Sequence, residues 1–496
     1  SQYSLRLRTP PSPGVAGYGG ADRAMTVGLF ESRREWLVAG TLGLFAAALS
    51  LSPMAGPAPF ALLAAPVIAI PVVWAMVSSR MLWVACFLGA VLLLPPLPVA
   101  LGNSGPHPAL LFAAAGIAIG WLRLDEWRVR LAGAGGAQVI LLFVLAASLP
   151  VALLTSGIAV GAGSFARVAL FAISVYVFHY VTQGPGARRP IDTRLCVHLL
   201  FGASVSACVF ACADFYYQFP APAGFGPQYI YLDGAVFRRA QGLFYEASTL
   251  GNFCVFFLVL VVAVLLRPRQ ERMLPAWSLG LGGSVLLLAL ILSFSRASIL
   301  NLGVATVSLL WLNRRTFSMK KAAAGAILTA VGGWALASTL VPGFTELFWL
   351  RLSRSVQYFF TETEGVLSGR VASWRLISAF LLERPWFALF GVGYKTLPYS
   401  DFIGTATIGD NMYLTMLVET GIAGLAALVF WMVRMLQEGW RAAHSASPRA
   451  QLLGAWSFSF WMGQLVQMFS GDLLTYWRVL PVYFFVLALA LREADA

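Results

Sequence analysis

The chain has 496 residues, 59% of them hydrophobic and only 11% charged, with mean hydropathy +0.77 and a formal net charge of +13. Ordinary soluble domains carry roughly a quarter charged residues, so this composition excludes a water-soluble globule, and its apolar content excludes a disordered chain. Apolar runs recur from Trp36 to Leu491, which also excludes a soluble enzyme on a single anchor. The chain reads as an all-α, polytopic transmembrane helical bundle.

Residues 1–30 have a different composition. Ser1 to Ala24 is rich in Ser, Pro, Gly and Arg and lacks the apolar run of about 7–15 residues that a signal peptide needs. This stretch reads as a disordered or non-native extension, with Met25 as a candidate true start. A spanning helix needs about 20 mostly apolar residues. On that measure residues 31–219 form an N-terminal transmembrane set, with spans near 36–52, 59–79, 81–101, 108–122, 131–155, 164–182 and 195–219. Residues 220–341 add spans near 246–266, 276–293, 296–313 and 322–341, together with outer arginine motifs. Residues 411–496 close the chain with spans near 411–434, 451–470 and 476–491. Pro95 and Pro96 break the third span and the fourth is short, so the count is about 12–14. Continuous apolar runs are helical, not alternating, which argues against a barrel.

Lys and Arg in short loops set direction. With the N-terminus inside, the inner loops hold Arg33 and Arg34, Arg80, then Arg123, Arg128 and Arg130, then Arg188, Arg189 and Arg194. Further inner loops hold Arg267, Arg269 and Arg272, then Arg314, Arg315, Lys320 and Lys321, then Arg434, Arg441 and Arg449. Segments 220–245 and 342–410 then fall outside. The second is a large extracytoplasmic loop in which 345–360 and 369–383 read as short amphipathic helices, with Trp349 and Trp374 suited to the membrane interface. The positive charge lies in small clusters with no basic arm, so no nucleic-acid partner is expected. Cys86, Cys196, Cys208, Cys212 and Cys254 all lie in apolar runs without metal-site spacing, so neither a disulfide nor a metal is expected.

Because positive charge marks the inside, outer arginines are informative: Arg167, Arg238, Arg239, Arg296, Arg351, Arg354, Arg370, Arg375, Arg384 and Arg478. Arg296 is the sharpest. Ser295-Arg296-Ala297-Ser298 stands between two spans that almost touch in sequence, and a charge at that depth is costly unless it faces a partner or cavity. It reads either as a salt-bridged or snorkelling side chain, or as a ligand for a phosphorylated lipid, because Arg stays charged and forks onto phosphate oxygens. Arg238 and Arg239 precede Gly242-Leu243-Phe244 and then Glu246 at the start of a span, where free helix amides behind a basic pair suit an anion. Glu246 reads equally as a plain cap-region acid. Gly391-Val392-Gly393-Tyr394 reads as a turn. It is followed by Gly409-Asp410-Asn411-Met412-Tyr413-Leu414 and Glu419-Thr420-Gly421. Asp410 opens an apolar helix, so it reads either as an N-cap or as a general base on an acceptor hydroxyl. Glu362 and Glu364, an acidic pair with one spacer, read either as solvated loop acids or as ligands for a divalent ion, with the loop reading favoured.

These motifs, in this order and all on the outer side, resemble the O-antigen ligase and O-antigen polymerase superfamily over about residues 235–435. The resemblance implies a metal-independent, cofactor-free membrane glycosyltransferase in the bacterial inner (cytoplasmic) membrane. Its donor would be a glycan on undecaprenyl diphosphate, its acceptor a sugar hydroxyl on the outer face, and its neighbours the lipid bilayer and other polysaccharide assembly proteins. Arg238, Arg239, Arg296 and Arg370 would bind the diphosphate, and Asp410 would be the base. Glu246, Asn411, Tyr413 and Glu419 would support them. Ligases of the family usually carry His immediately before the Asn. Asp410 stands there, and His107, His179, His198 and His444 all lie elsewhere. That departure favours a polymerase of O-antigen or exopolysaccharide repeats, with a ligase transferring finished polymer to lipid A-core as the alternative. The rival class is a secondary transporter of an anionic solute. It calls for pseudo-symmetric halves and charges near the midplane, whereas the two halves show no repeat and the charges gather at one face.

Overall fold

The computed structural model describes residues 74–79, 81–97, 106–185, 191–219, 226–232, 235–244, 246–314, 370–400, 403 and 407–495, with single positions at 335, 338, 339, 346, 349, 350 and 353. The expected N-terminal extension, the span at 36–52, residues 59–73 of the span at 59–79, the span at 322–341 apart from 335, 338 and 339, and the acids Glu362 and Glu364 lie outside them. So does the amphipathic helix at 345–360, apart from those single positions. The chain divides into two compact units, Ser1–Leu82 and Trp83–Ala496. Of the first, residues 74–78 are helical. Everything below concerns the second.

The fold is all-α. Apolar runs leave the backbone no water to bond, and an α-helix satisfies its amides and carbonyls within the segment. In chain order the helices are α1 (Leu82–Leu93), α2 (Ala109–Trp121), α3 (Gly133–Ala147), α4 (Leu149–Gln183) and α5 (Thr193–Tyr217). A β-hairpin follows, β1 (Tyr229–Leu232) and β2 (Ala235–Arg238), antiparallel with Tyr229 opposite Arg238. Then come α6 (Ala247–Leu265), α7 (Ala276–Leu292), α8 (Arg296–Leu312), α9 (Arg370–Glu383), α10 (Trp386–Phe390), α11 (Met412–Ala443), α12 (Pro448–Gln467) and α13 (Leu480–Asp495). Among the described residues α4, α5, α6 and α11 are long and apolar enough to cross a membrane, and α1, α2, α3, α7 and α8 are shorter apolar helices.

The expected span at 131–155 is not one helix. It breaks at Ser148, whose hydroxyl bonds back to the Leu145 carbonyl, and the chain turns directly into α4. Pro150 sits in the first turn of α4, where its missing amide costs nothing. α4 then runs past a break at Gly157 to Gln183, absorbing the expected span at 164–182.

The centre of the bundle is built from α6, α12 and α13, which are buried on nearly every face. A helix apolar all round belongs in the middle of a membrane bundle. α12 packs against α6, α8, α11 and α13. Aromatic rings fill the junction: Phe256 lies 4.4 Å from both Trp456 and Tyr483, and the Trp456 indole donates to the Phe256 carbonyl at 2.6 Å. The outer helices keep apolar side chains exposed, such as Leu154 and Phe165 on α4 and Trp277 on α7, as lipid-facing surfaces do. All five cysteines are free thiols, and Cys208 faces Cys254 on α6 at 3.6 Å, across helices and not along α5 towards Cys212.

Candidate active site

Glu246, Arg296, Asn411 and Gln467 stand at the same end of α6, α8, α11 and α12, and the charged residues gather there. The hairpin delivers the first two arginines. Successive residues of an extended chain face opposite sides, and Arg238 and Arg239 separate accordingly. Arg238 donates to Asp214 Oδ1 at 2.9 Å and to the Phe219 carbonyl at 3.2 Å, a buried pair at the end of α5. Arg239 goes the other way and donates through Nε to the Ser293 carbonyl at 2.8 Å. Burial lowers the Arg239 pKa; Tyr476 and Glu246 oppose the shift, while the nearby charges of Arg370 and Arg296 add to it. Arg239, Arg296 and Arg370 therefore lie within electrostatic reach of one another. Of the four expected diphosphate ligands, the structure brings these three together and ties the side chain of Arg238 to Asp214.

Arg296 opens α8. The turn before it is tight, with Phe294 in the left-handed region at φ 50°. A polar network fixes that helix start from below. Ser295 and Ser298 hydroxyls are 2.8 Å apart, and Gln467 Nε2 donates to Ser298 Oγ at 3.2 Å. Gln467 Oε1 accepts from Asn252 at 2.8 Å and from Asn301 at 2.7 Å, and the Tyr483 hydroxyl donates to Asn252 at 2.6 Å. One glutamine so ties α6, α8 and α12 together, with α13 joined through Asn252, directly beneath the arginine.

Arg370 begins α9 and bridges two partners, donating to Asp410 Oδ2 at 2.9 Å and to the Ser470 hydroxyl at 2.6 Å. The expected helix at 369–383 is α9, and it packs on α11 through Ile377, Phe380 and Val418. Asp410 does not cap α11. Asn411 does, its Oδ1 accepting from the amides of Tyr413 at 3.1 Å and Leu414 at 3.2 Å. Among the described residues Asp410 Oδ1 has no partner. Tyr413 is committed elsewhere, its hydroxyl donating to the Leu465 carbonyl at 2.9 Å.

The two glycine motifs meet. α11 is broken at Gly421, at φ 71°, which frees the carbonyls of Val418 and Glu419. The amides of Val392 and Gly393 bond to them at 3.0 and 2.8 Å. A Cβ on Gly391 would lie 2.4 Å from the Glu419 carbonyl oxygen, and one on Gly421 would lie 2.2 Å from that of Leu389. Only glycine permits backbones this close. The expected turn is present, with a bend at Val392 and a turn at Tyr394 and Lys395, and its backbone docks on the break in α11. It carries Lys395, buried and at φ 58°, to Asp472, with which it forms a close ion pair, and to Glu419. Burial works against the Lys395 ammonium, but the Asp472 and Glu419 charges outweigh it and raise its pKa.

Glu246 takes the N-cap position of α6 without capping it; its Oε2 accepts from the Ser248 hydroxyl at 2.9 Å. Burial raises its pKa, and Asp410 and Asp472 add to the rise, while Ser248 and Lys395 oppose it. Burial likewise pushes the Tyr476 phenol up, with Glu246 the next cause. The composition of the site is thus Arg239, Arg296, Arg370 and Lys395 against Glu246, Asp410, Asp472 and Glu419. Lys395, Asp472 and Tyr476 were not foreseen. The sequence signal for the first two was slight: a single lysine after Gly391-Val392-Gly393-Tyr394, and a single acid after Gly471 between two apolar runs. Arg167 and Arg478 are structural instead. Arg167 donates to the Tyr399 hydroxyl at 2.6 Å, and the buried Arg478 guanidinium collects carbonyls at the end of α1, including Leu94 at 2.9 Å. Among the described residues no group of His, Cys, Asp and Glu is arranged to hold a metal ion.

Residues 281–429, from α7 to the middle of α11, match the O-antigen ligase family. Over this segment the chain is similar to the O-antigen ligase family, which supports the O-antigen ligase and polymerase superfamily. The match takes in Arg296, Arg370, Lys395, Asp410, Asn411 and Glu419, and leaves the N-terminal half and the last two helices outside. No curated protein matches the chain. Multi-pass membrane helices and this family together point to a glycosyltransferase-like enzyme acting on glycan substrates at a lipid bilayer.

Proposed function

We propose that the chain polymerises O-antigen or exopolysaccharide repeats, moving a glycan from undecaprenyl diphosphate to a sugar hydroxyl at the outer face of the bacterial inner membrane. The observation that carries this is the convergence of Arg239, Arg296 and Arg370, three cations from separate segments that repel one another. A diphosphate between them would relieve that repulsion, and planar guanidiniums suit its oxygens. The setting fits a lipid-borne donor. α6 has 19 residues, about 28 Å at 1.5 Å per residue, close to the ~30 Å hydrocarbon core. With basic loops at the opposite helix ends, the site faces outward.

The reaction is an inverting displacement. The acceptor oxygen attacks the anomeric carbon as its bond to the diphosphate oxygen breaks, and undecaprenyl diphosphate leaves with the electron pair. The acceptor proton goes to Asp410 Oδ1, while Arg370 holds Oδ2 and fixes the carboxylate. Arg239, Arg296 and Arg370 stabilise charge as it grows on the leaving group, usually the largest catalytic contribution. Arginine so supplies the positive charge that a metal ion gives in other phosphate-leaving reactions.

A ligase is the second reading, and Asp410 in place of the family's His argues against it. Glycan analysis of a deletion strain separates the two. A polymerase deletion leaves single repeat units, whereas a ligase deletion leaves long chains stranded on the carrier. Unchanged glycans in that strain would remove both readings and favour transport of an anionic solute.

A further inference from the structure

A second charged site lies at the other end of the same helices. α6 ends there at Leu265, α12 begins there at Pro448 and α13 ends there at Asp495, so one membrane thickness of helix separates it from Arg296. A cavity of about 400 Å³ opens between these ends, lined by Arg194, Arg267, Arg272, Arg449, Glu271 and Glu493 among others. Four guanidiniums thus face two carboxylates.

The local bonding leaves that charge largely uncompensated. Arg267 donates to the neutral Gln451 Oε1 at 3.0 Å, and Arg272 donates to the backbone carbonyls of Arg267 and Leu265, each at 3.1 Å. Glu493 accepts the Thr193 hydroxyl and acts on Arg492, which is not one of the four, while Glu271 acts on Arg267 without a salt bridge. Among the described residues no salt bridge joins any of the four arginines to an acid. The first turn of α12 also lines the cavity through Ser447 and Pro448, adding the positive end of a helix. Apolar side chains flank this end: Leu195 and Leu199 at the start of α5, and Trp277 and Leu281 at the start of α7, are all exposed.

We propose that this cavity binds the phosphodiester headgroup of an anionic phospholipid of the inner leaflet. Arginine forks match phosphate oxygens, and the volume admits a glycerophosphate headgroup. The exposed apolar turns of α5 and α7 give acyl chains a surface to follow into the bilayer. Basic pockets between helices on the cytoplasmic side are where such headgroups are held. A soluble phosphate would use the same guanidiniums but not the apolar flank.

The test uses the purified full-length protein in detergent, followed by native mass spectrometry. It is titrated separately with phosphatidylglycerol, phosphatidylcholine and inorganic phosphate. Phosphatidylglycerol should stay bound as a discrete adduct, phosphatidylcholine should not, and millimolar phosphate should not displace the adduct. Removing two guanidiniums in Arg194→Gln/Arg449→Gln should weaken phosphatidylglycerol binding roughly thirtyfold, at about 1 kcal/mol for each basic residue. Both side chains are exposed, so folding should survive; if it does not, Glu271→Gln, which removes an opposing carboxylate, should tighten binding. Arg384→Gln, at the other end, should change nothing. Equal retention of both lipids, wild-type affinity in the double variant, weaker binding in Glu271→Gln, or displacement by phosphate alone would each overturn the proposal.

Discussion

Asp410→Asn separates a structural carboxylate from a chemical one. In the fold Asp410 makes one ion pair, to Arg370 at 2.9 Å, with side chains 40% and 27% exposed. A pair this open to water contributes about 0.2–1 kcal/mol. Asn retains an acceptor for Arg370, and Asn411 already caps α11, so the stability loss should stay below about 1 kcal/mol. As a base Asp410 is expected to contribute about 10²–10⁴-fold in rate, or ~3–5 kcal/mol in barrier. The two effects therefore differ severalfold and in different assays. Thermal unfolding in detergent should barely move, while transfer from a carrier-linked glycan should fall by at least about a hundredfold. Asp410→His should recover part of the rate, since imidazole accepts protons near neutral pH. Asp410→Asn transferring within a factor of about three of the wild type would refute the base assignment, because no proton-transfer role is worth so little.

The adjacent arginines should behave oppositely. Arg238→Gln leaves Asp214 buried without its cation and should cost about 3–5 kcal/mol in unfolding, whereas Arg239→Gln should fold normally and lose about 10²–10³ in transfer rate. Similar unfolding midpoints for the two would contradict the separation. Gln467→Leu removes three interhelical hydrogen bonds; at about 0.6 kcal/mol each within a membrane, unfolding should become easier by ~2 kcal/mol, and transfer should drop as α8 loosens. Glu246 has a raised pKa through burial, with Asp410 and Asp472 adding to it and Lys395 opposing. Folding therefore takes up its proton, and its contribution is fully present below the ordinary carboxylate range and is lost as pH climbs through the raised value. Glu246→Gln should flatten that decline in a pH series of unfolding midpoints; an unchanged slope would assign the decline to another group.

The sequence made the helical class and the location of most spans legible, because lipid leaves few options and apolar runs announce themselves. The join between α3 and α4 was not, since both sides of Ser148 are apolar and only the local turn separates them. The β-hairpin was also hidden, its eight strand residues interrupted by two and lying between two long spans. Outer placement singled out Arg239, Arg296 and Arg370, but it could not tell them from Arg238, Arg167 and Arg478, which serve Asp214, Tyr399 and backbone carbonyls. A charge count carries no direction. Asp410 and Asn411 were both visible, yet only the geometry assigns the cap to Asn411. Lys395 and Asp472 are 77 residues apart, and no local pattern pairs them. The meeting of Gly391–Gly393 with Gly421 is of the same kind, a long-range contact written as two ordinary glycine motifs.

The central claim is that the guanidinium groups gathered where α6, α8 and α11 begin stabilise a departing diphosphate. It is tested most directly by the transfer rate of Arg296→Lys in liposomes, with a carrier-linked glycan as donor and a chelator present. Lysine keeps the charge but loses the planar fork. The account predicts normal folding, lipid-linked donor still bound, and a transfer rate reduced by about 10²-fold or more, the scale of losing one donor to a developing anion. Arg296→Lys or Arg296→Ala working at the wild-type rate would contradict it, and Arg296 would then be a structural residue at the start of α8.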